Sequence, residues 1–263
     1  MNDIIDLTVM QLAMAYIFVL IVLGIVRVRG IRREKEIVIA SVRMTLQLVL
    51  VGYVLVYIFD NPSPFTTGAI IVMMELFAVY TVLRRFRKSL TSALRWVVAF
   101  SMCFGTLSCI AYFLLVVVRI SPWYEPQYVI PVAGMLIGNS MTGISLGLKS
   151  LLEGMTTRSH MVEEALILGA TPRAATRDII NSSFDGAILP TINSMVGMGV
   201  VFLPGMMTGQ ILSGTSPTTA IAYQIAIMLG ILGAVALTII IMLQLGCRTF
   251  FNKQDQLRQP SII

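Results

Sequence analysis

The sequence predicts an all-α membrane protein, a single transmembrane domain over residues 1–263 built as a polytopic bundle of about seven transmembrane helices. Three observations carry that prediction. Hydrophobic residues make up 57% of the chain and charged residues only 12%, against roughly a quarter charged in a soluble domain. The hydrophobic residues gather into runs close to the ~20 residues a helix needs to cross a hydrocarbon core. The basic residues gather between alternate runs, so the net charge of +6 describes topology and not binding to nucleic acid.

In chain order the spans are expected at 7–26, 37–58, 67–83, 93–118, 128–148, 184–212 and 220–246. Asp3 and Asp6 stand where a secretory signal would carry Lys or Arg, and the first run is long for such a signal, so no cleavable leader is expected. Arg27, Arg29, Arg32, Arg33 and Lys35 follow the first span, and Arg84, Arg85, Arg87, Lys88 and Arg95 follow the third. Lys149, Arg158, Arg173 and Arg177 follow the fifth, and Arg248, Lys253 and Arg258 close the chain. Seventeen of the 19 basic residues thus share one side, with Arg119 opposite and Arg43 inside the second span. The excess of Lys and Arg in cytoplasmic loops puts the N-terminus outside and the C-terminus in the cytoplasm of a multi-pass protein of the plasma or inner membrane. Trp123 and Tyr124, in a short proline-bearing outer loop, suit an interfacial aromatic belt.

Polar groups inside the spans are expensive in lipid and are therefore candidates for a transport pathway. These are Arg43 and Gln47, one turn apart, Glu75, and Asn139. An internal Arg43–Glu75 ion pair is the structural alternative. Asp185 reads as an interfacial cap. Gly134, Gly138, Gly143 and Gly147 suit close helix packing. In the sixth span, Pro204 and Gly205 break the hydrogen-bond ladder and, with Met206 and Met207, form the best pathway candidate. Thioethers such as those of Met73, Met74, Met206 and Met207 are soft ligands suited to Cu(I), although Met is also ordinary filler at moving interfaces. Glu75 and Met206 are the candidates for a metal contact, since no His, Cys and carboxylate cluster has ligand spacing. Cys103, Cys109 and Cys247 sit in hydrophobic runs and read as packing residues, and the single histidine, His160, reads as a surface residue.

The stretch 161–191 is a polar island between hydrophobic runs, and predicts an elbow of two short helices at 155–183. Val162 and Leu166 share a helical face. Gly169 is a natural stop, and Thr171 followed by Pro172 reads as the cap and first residue of the next helix. Glu163, Ala165 and Gly169 are spaced as in the cytoplasmic coupling loop of ATP-binding-cassette (ABC) permeases, which this elbow resembles. Glu164 stands where that motif has its first alanine, and Leu189–Pro190 comes later than the motif places it. The resemblance implies that Glu163, Glu164, Leu166, Leu168, Gly169, Thr171, Pro172 and Arg173 make the surface that meets an ATPase.

Longer blocks are more specific. They run from Gln47–Leu48 to Gly52–Tyr53, through Val129–Ile130–Pro131–Val132–Ala133–Gly134–Met135 and Gly138–Asn139–Ser140–Met141, to Phe202–Leu203–Pro204–Gly205–Met206–Met207–Thr208–Gly209 and Ala220–Ile221–Ala222–Tyr223–Gln224–Ile225. Between residues 37 and 250 the chain resembles the FetB-like iron-export permeases, whose plant relatives are aluminium-tolerance membrane proteins. The resemblance implies a non-catalytic permease subunit that exports a metal ion, iron, as a homodimer on two separately encoded ATPase subunits. Closure of the ATPases would push the elbow and rock the sixth span about Pro204–Gly205. No Gly-x-x-x-x-Gly-Lys phosphate loop occurs, so no cofactor is expected to bind directly and ATP would act through the partner chain. The alternative is a secondary transporter in which Glu75 or Arg43 couples an ion gradient. An intramembrane enzyme is not expected, because His160 has no nucleophile beside it in a span and Asp185 has no second carboxylate.

Overall fold

The computed structural model describes residues 8–87, 89–252 and 254–257. Asp3, Asp6, Lys88, Lys253 and Arg258, which enter the charge argument, lie outside them. The described residues form α1 (Val9–Ala15), α2 (Ile17–Val28), α3 (Glu34–Asp60), α4 (Pro64–Arg85), α5 (Ser92–Tyr112, continued by a π-helical turn at Phe113–Val118), α6 (Pro126–Thr157), α7 (Ser159–Ile167), α8 (Pro172–Ala175), α9 (Arg177–Gly197), α10 (Gly205–Leu212) and α11 (Pro217–Arg248). The protein is a polytopic helical membrane protein. Among the described residues, 6 helical stretches are long and hydrophobic enough to cross a bilayer: Val9–Val28, α3, α4, Ser92–Val118, α6 and α11.

The segment 184–212, expected as one span, is not one helix. Helix α9 ends at Gly197, Gly199 turns the chain at φ +86°, and α10 begins only at Gly205. The break therefore precedes Pro204–Gly205. Pro204 opens α10, its carbonyl receiving the Thr208 N–H at 3.0 Å. A proline costs nothing at a helix start, where its missing N–H would have no partner anyway. The expected interruption and the observed helix start thus use the same residue in opposite ways.

The chain falls into two compact units, residues up to Pro62 with Leu212–Gly214, and Ser63–Ile211 with the residues from Thr215 onward. In the first unit, Thr8 and Gln11 close a reciprocal capping box at the start of α1, and the Tyr16 hydroxyl is hydrogen-bonded to Thr45 of α3. Arg43 and Gln47 line an open groove on α3 with Val38, Ile39, Val42 and Leu46. Glu36 pairs with Arg33 at the start of the same helix.

The second unit is held by small residues facing larger ones, the packing mode expected where lipid removes the hydrophobic incentive for helices to associate. On α5, a Cβ on Gly105 would lie 3.0 Å from the Thr238 backbone of α11. On α6, Gly143 faces Val235 and Ile239 of α11, and Gly147 faces Met242 of α11 and Ala187 of α9. Leu94, Met102, Leu136, Ile144, Leu148, Leu151, Ile239 and Met242 fill the core between them. Two contacts fix α9 along α11. The Cys247 thiol donates to Thr176 Oγ1 at 3.1 Å at one end, and the Gln224 amide donates to Met198 Sδ at 3.8 Å at the other. With 21 residues, α9 is ~30 Å long, the thickness of a hydrocarbon core.

The same contacts sort charge. Leu94 lies against Gly246, Gly154 against Ile179, and Thr176 against Cys247. The start of α5, the end of α6, the start of α9 and the end of α11 therefore share one end of this unit. Arg95, Arg158, Arg177 and Arg248 are at that end, while Arg119 follows the far end of α5.

Candidate functional site

The elbow is built by local rules. Helix α7 follows α6 with only Arg158 between them. Val162 is 1% exposed, and Leu166 packs against the same core, which pins one face of α7 to the bundle. At the end of α7, Gly169 takes φ +91°, its N–H donates to the Leu166 carbonyl at 3.0 Å, and the Ala170 N–H donates to the Ala165 carbonyl at 2.9 Å. That pair of bonds is the Schellman stop, whose left-handed position favours glycine. Thr171 then caps α8, its hydroxyl oxygen accepting from the Ala174 N–H at 3.3 Å, with Pro172 as first helical residue.

The outward surface of this elbow differs from the expected one in two residues. Leu166 faces inward and anchors the elbow. Ile167, which the sequence reading did not single out, is 84% exposed beside Leu168 at 88%. Met161, Glu163, Glu164, Thr171 and Arg173 are also exposed. The result is a small apolar knuckle with two carboxylates on one flank. The missing signal was helical phase. Once Val162 is fixed inward, a step of five residues carries Ile167 to the outer face.

The pathway candidates are divided between the two units. Arg43 and Gln47 belong to the first unit, Glu75 and Asn139 to the second. Glu75 is 2% exposed on α4, and the Thr106 hydroxyl of α5 donates to its Oε2 at 2.9 Å. Among the described residues its Oε1 has no hydrogen-bond partner, nor do the buried Ser140 Oγ and Gln224 Oε1. The sequence reading missed Ser140 and Gln224, because one polar residue among apolar ones does not reveal whether it finds a partner. Pro204, Gly205, Met206 and Met207 open α10, with Met207 buried and Met206 packed against the core. Among the described residues no group of three His, Cys, Asp or Glu could hold a metal ion. Met74 reaches Gly134 of α6 and acts as packing, while Met73 faces outward.

Replacing Thr106 by valine is expected to leave both Glu75 oxygens without a donor and to cost about 1–3 kcal/mol. Thermal unfolding of the purified protein measures this. Glu75→Gln, which keeps the shape, separates fold from transport. Unchanged metal accumulation in vesicles carrying that variant would remove Glu75 from the pathway.

A polar surface also emerges, of which the sequence reading had Asn139 as a pathway candidate and Asp185 as an interfacial cap, although Asp185 lies inside α9 and not at its start. Helices α6 and α9 run antiparallel, with Gly154 against Ile179, Ser150 Oγ 3.2 Å from Ser183 Oγ, and Gly147 against Ala187. On the exposed side of α6 stand Asn139, Thr142, Leu146, Lys149, Glu153 and Thr156, at alternating steps of three and four. On the exposed side of α9 stand Asp178, Ser182, Asp185, Leu189, Asn193 and Val196. Lys149 Nζ lies 3.6 Å from Glu153 Oε1. A cleft lined by Ser150, Glu153, Thr157, Arg158 and Ser182 lies between the helices near the elbow.

Comparison with known proteins agrees with this membrane architecture. Residues 9–251 match the family described as "Uncharacterised protein family (UPF0014)". The UPF0014 membrane protein YjkA of Bacillus subtilis is 33% identical over 250 residues, covering 95% of this chain and 98% of that one. The probable iron export permease protein FetB of Escherichia coli is 33% identical over 254 residues, covering 96% and 95%. Protein ALUMINUM SENSITIVE 3 of Arabidopsis thaliana is 34% identical over 246 residues, covering 94% and 88%. No solved structure matches the chain significantly. With its helical membrane fold and a match over nearly its whole length, the chain belongs to the UPF0014 family of membrane proteins, alongside FetB and ALUMINUM SENSITIVE 3.

Proposed function

We propose that this protein is the membrane-spanning permease subunit of an ABC transporter that exports a metal ion, iron, across the cell membrane on ATP hydrolysed by a separate chain. The carrying observation is the elbow. A glycine-stopped helix pinned by Val162 and Leu166 presents Met161, Ile167 and Leu168 to solvent, with Glu163 and Glu164 beside them. Exposed apolar residues rimmed by charge mark a protein-binding site. The name of the FetB relative supports export of iron, and the gathering of arginines at the elbow end of the second unit supports a cytoplasmic elbow. In this topology α9 and α10 together make a seventh, interrupted crossing, which gives an external N-terminus and a cytoplasmic C-terminus. Two copies of the chain stand on two ATPase subunits.

The deciding experiment is transport in proteoliposomes containing this chain and its ATPase, with iron compared against other metal ions. ATP-dependent iron movement out of the cytoplasm-equivalent compartment is the expected result, and ATP-independent movement would refute it. Ile167→Asp combined with Leu168→Asp is expected to weaken co-purification of the ATPase at least tenfold, since buried apolar anchors dominate interface energies. A pull-down unchanged by those substitutions would remove the elbow from the interface. Ion-coupled secondary transport is the competing reading, favoured by the unpartnered Glu75 Oε1. It predicts transport driven by an ion gradient with no ATPase present.

A further inference from the structure

We infer that the polar strip shared by α6 and α9 is where a second copy of this chain closes about a two-fold axis, the two strips together walling a water-filled path through the membrane. The inference rests on the permease reading above and names the face that reading leaves open.

The first argument is depth. Helix α6 has 32 residues, and Asn139 and Thr142 stand at its middle. The register set by Gly154 with Ile179, Ser150 with Ser183 and Gly147 with Ala187 brings Asn193 to the level of Asn139 and Asp185 to the level of Lys149. Amides at mid-membrane and charges a few turns away are poorly placed against lipid, where polar and ionised groups almost always face protein or water. The hydroxyls and amides here answer part of their own demand. The Asn139 amide donates to the Met135 carbonyl at 2.8 Å, and the Thr142 hydroxyl donates to the Gly138 carbonyl at 3.2 Å. That leaves the remaining Asn139 valences, Asn193 and the charged groups facing outward.

The second argument is charge complementarity. A two-fold axis along the membrane normal preserves level and sets α6 of one copy against α9 of the other. Lys149 of one copy then meets Asp185 of its partner, and the pair is made twice. Arg158 and Arg177 lie beyond this level, at the elbow end, together with Glu153 and Asp178. Within one copy Lys149 has the exposed Glu153 at 3.6 Å, and the closed pair adds an opposite charge at the same level, as a self-complementary interface does. At mid-level the strips hold Asn139, Thr142 and Asn193 beside Leu146 and Leu189, so the closed pair lines its gap with amides and a hydroxyl between leucines, and neither copy alone encloses the path.

The test uses the full chain in nanodiscs or native membranes. Lys149→Asp and Asp185→Lys are each expected to weaken dimerisation about tenfold, as like-charged groups are brought face to face. The double exchange is expected to restore dimerisation to within a few-fold of wild type. A purely structural role for either residue would not show that rescue, so single reversals without effect, or a double exchange without recovery, would overturn the inference. Leu146→Cys combined with Leu189→Cys, which the register brings to about one level on facing helices of the two copies, is expected to give a disulfide-linked dimer on oxidation, whereas Leu76→Cys on α4 and the wild type, with its own three cysteines, are not. Equal cross-linking from Leu76→Cys would equally overturn it. ATPase pull-down through the elbow is read on the same samples. Failed cross-linking with intact pull-down rejects this face and leaves the proposed function standing, whereas failed pull-down rejects the function whichever face dimerises.

Discussion

Gly169→Val is expected to abolish ATP-driven transport while leaving the bundle folded. Gly169 holds φ +91°, and among the described residues nothing beyond its chain neighbours lies within 4 Å of a Cβ built there. The effect is therefore confined to the backbone. A left-handed conformation costs an ordinary L-residue roughly 1–2 kcal/mol and a β-branched one more. Valine would escape by leaving that region, and both carbonyls now capped by Gly169 and Ala170 N–H groups would lose their partners. The end of α7 and the position of Ile167 and Leu168 would then change together, without disturbing Val162. Asn tolerates the left-handed region better than other non-glycine residues, so Gly169→Asn should fall between wild type and valine. The measurement is metal transport and ATPase stimulation beside the thermal unfolding midpoint of the permease. Full transport by the valine variant would show that the elbow carries no coupling.

Gly105→Val should produce the largest loss of stability in the bundle. A Cβ there meets the Cα of Thr238 at 3.0 Å and its backbone nitrogen at 3.1 Å. Backbone cannot rotate away, so α5 and α11 must separate. Overpacking of this kind costs about 1–3 kcal/mol, and both helices carry core residues along their length. Gly154 offers a graded comparison, because its Cβ would sit 2.6 Å from Ile179 Cγ2, a side-chain atom. Gly154→Ala should destabilise, and Ile179→Ala should relieve part of that cost in the double variant. Gly138→Ala, with nothing within 4 Å, should be neutral or slightly stabilising, given the ~0.5–1 kcal/mol by which alanine outranks glycine in a helix. Unfolding midpoints in detergent rank the variants, and a Gly105→Val protein as stable as wild type would refute the close approach of α5 to α11.

What the sequence made legible was whatever depends on neighbours in the chain. Long apolar runs announce helices, and Gly169 with Thr171–Pro172 announces a stop and a restart, because caps and turns are satisfied within a few residues. What stayed hidden depends on phase or on distant partners. Pro204 is equally a breaker and a first residue of a helix, so pattern alone could not place the interruption at Gly197–Leu203. Leu166 and Ile167 are adjacent and similar, and only the packing of Val162 decides which faces out. The strip on α6 and α9 combines residues some 40 positions apart in the chain. Each half looks like scattered polar residues until the register of Gly154 on Ile179 aligns them. Asn139 was visible as an intramembrane amide, but its companions Thr142, Lys149, Asp185 and Asn193 became a surface only through the fold.

The length of α6 has a mechanical consequence. At 32 residues it is ~48 Å long, well beyond a ~30 Å hydrocarbon core, and it carries α7 directly on its end. Its seat on α11 is at Gly143 and Gly147. Taken as a pivot, that seat divides the helix into a short arm of ~15 Å toward the elbow and a long arm of ~25 Å toward Pro126. A small sideways push on the short arm becomes a swing about one and a half times larger, and opposite in sense, at the far mouth. Pro131, lacking an amide hydrogen, is the joint in the long arm where such a swing would be absorbed.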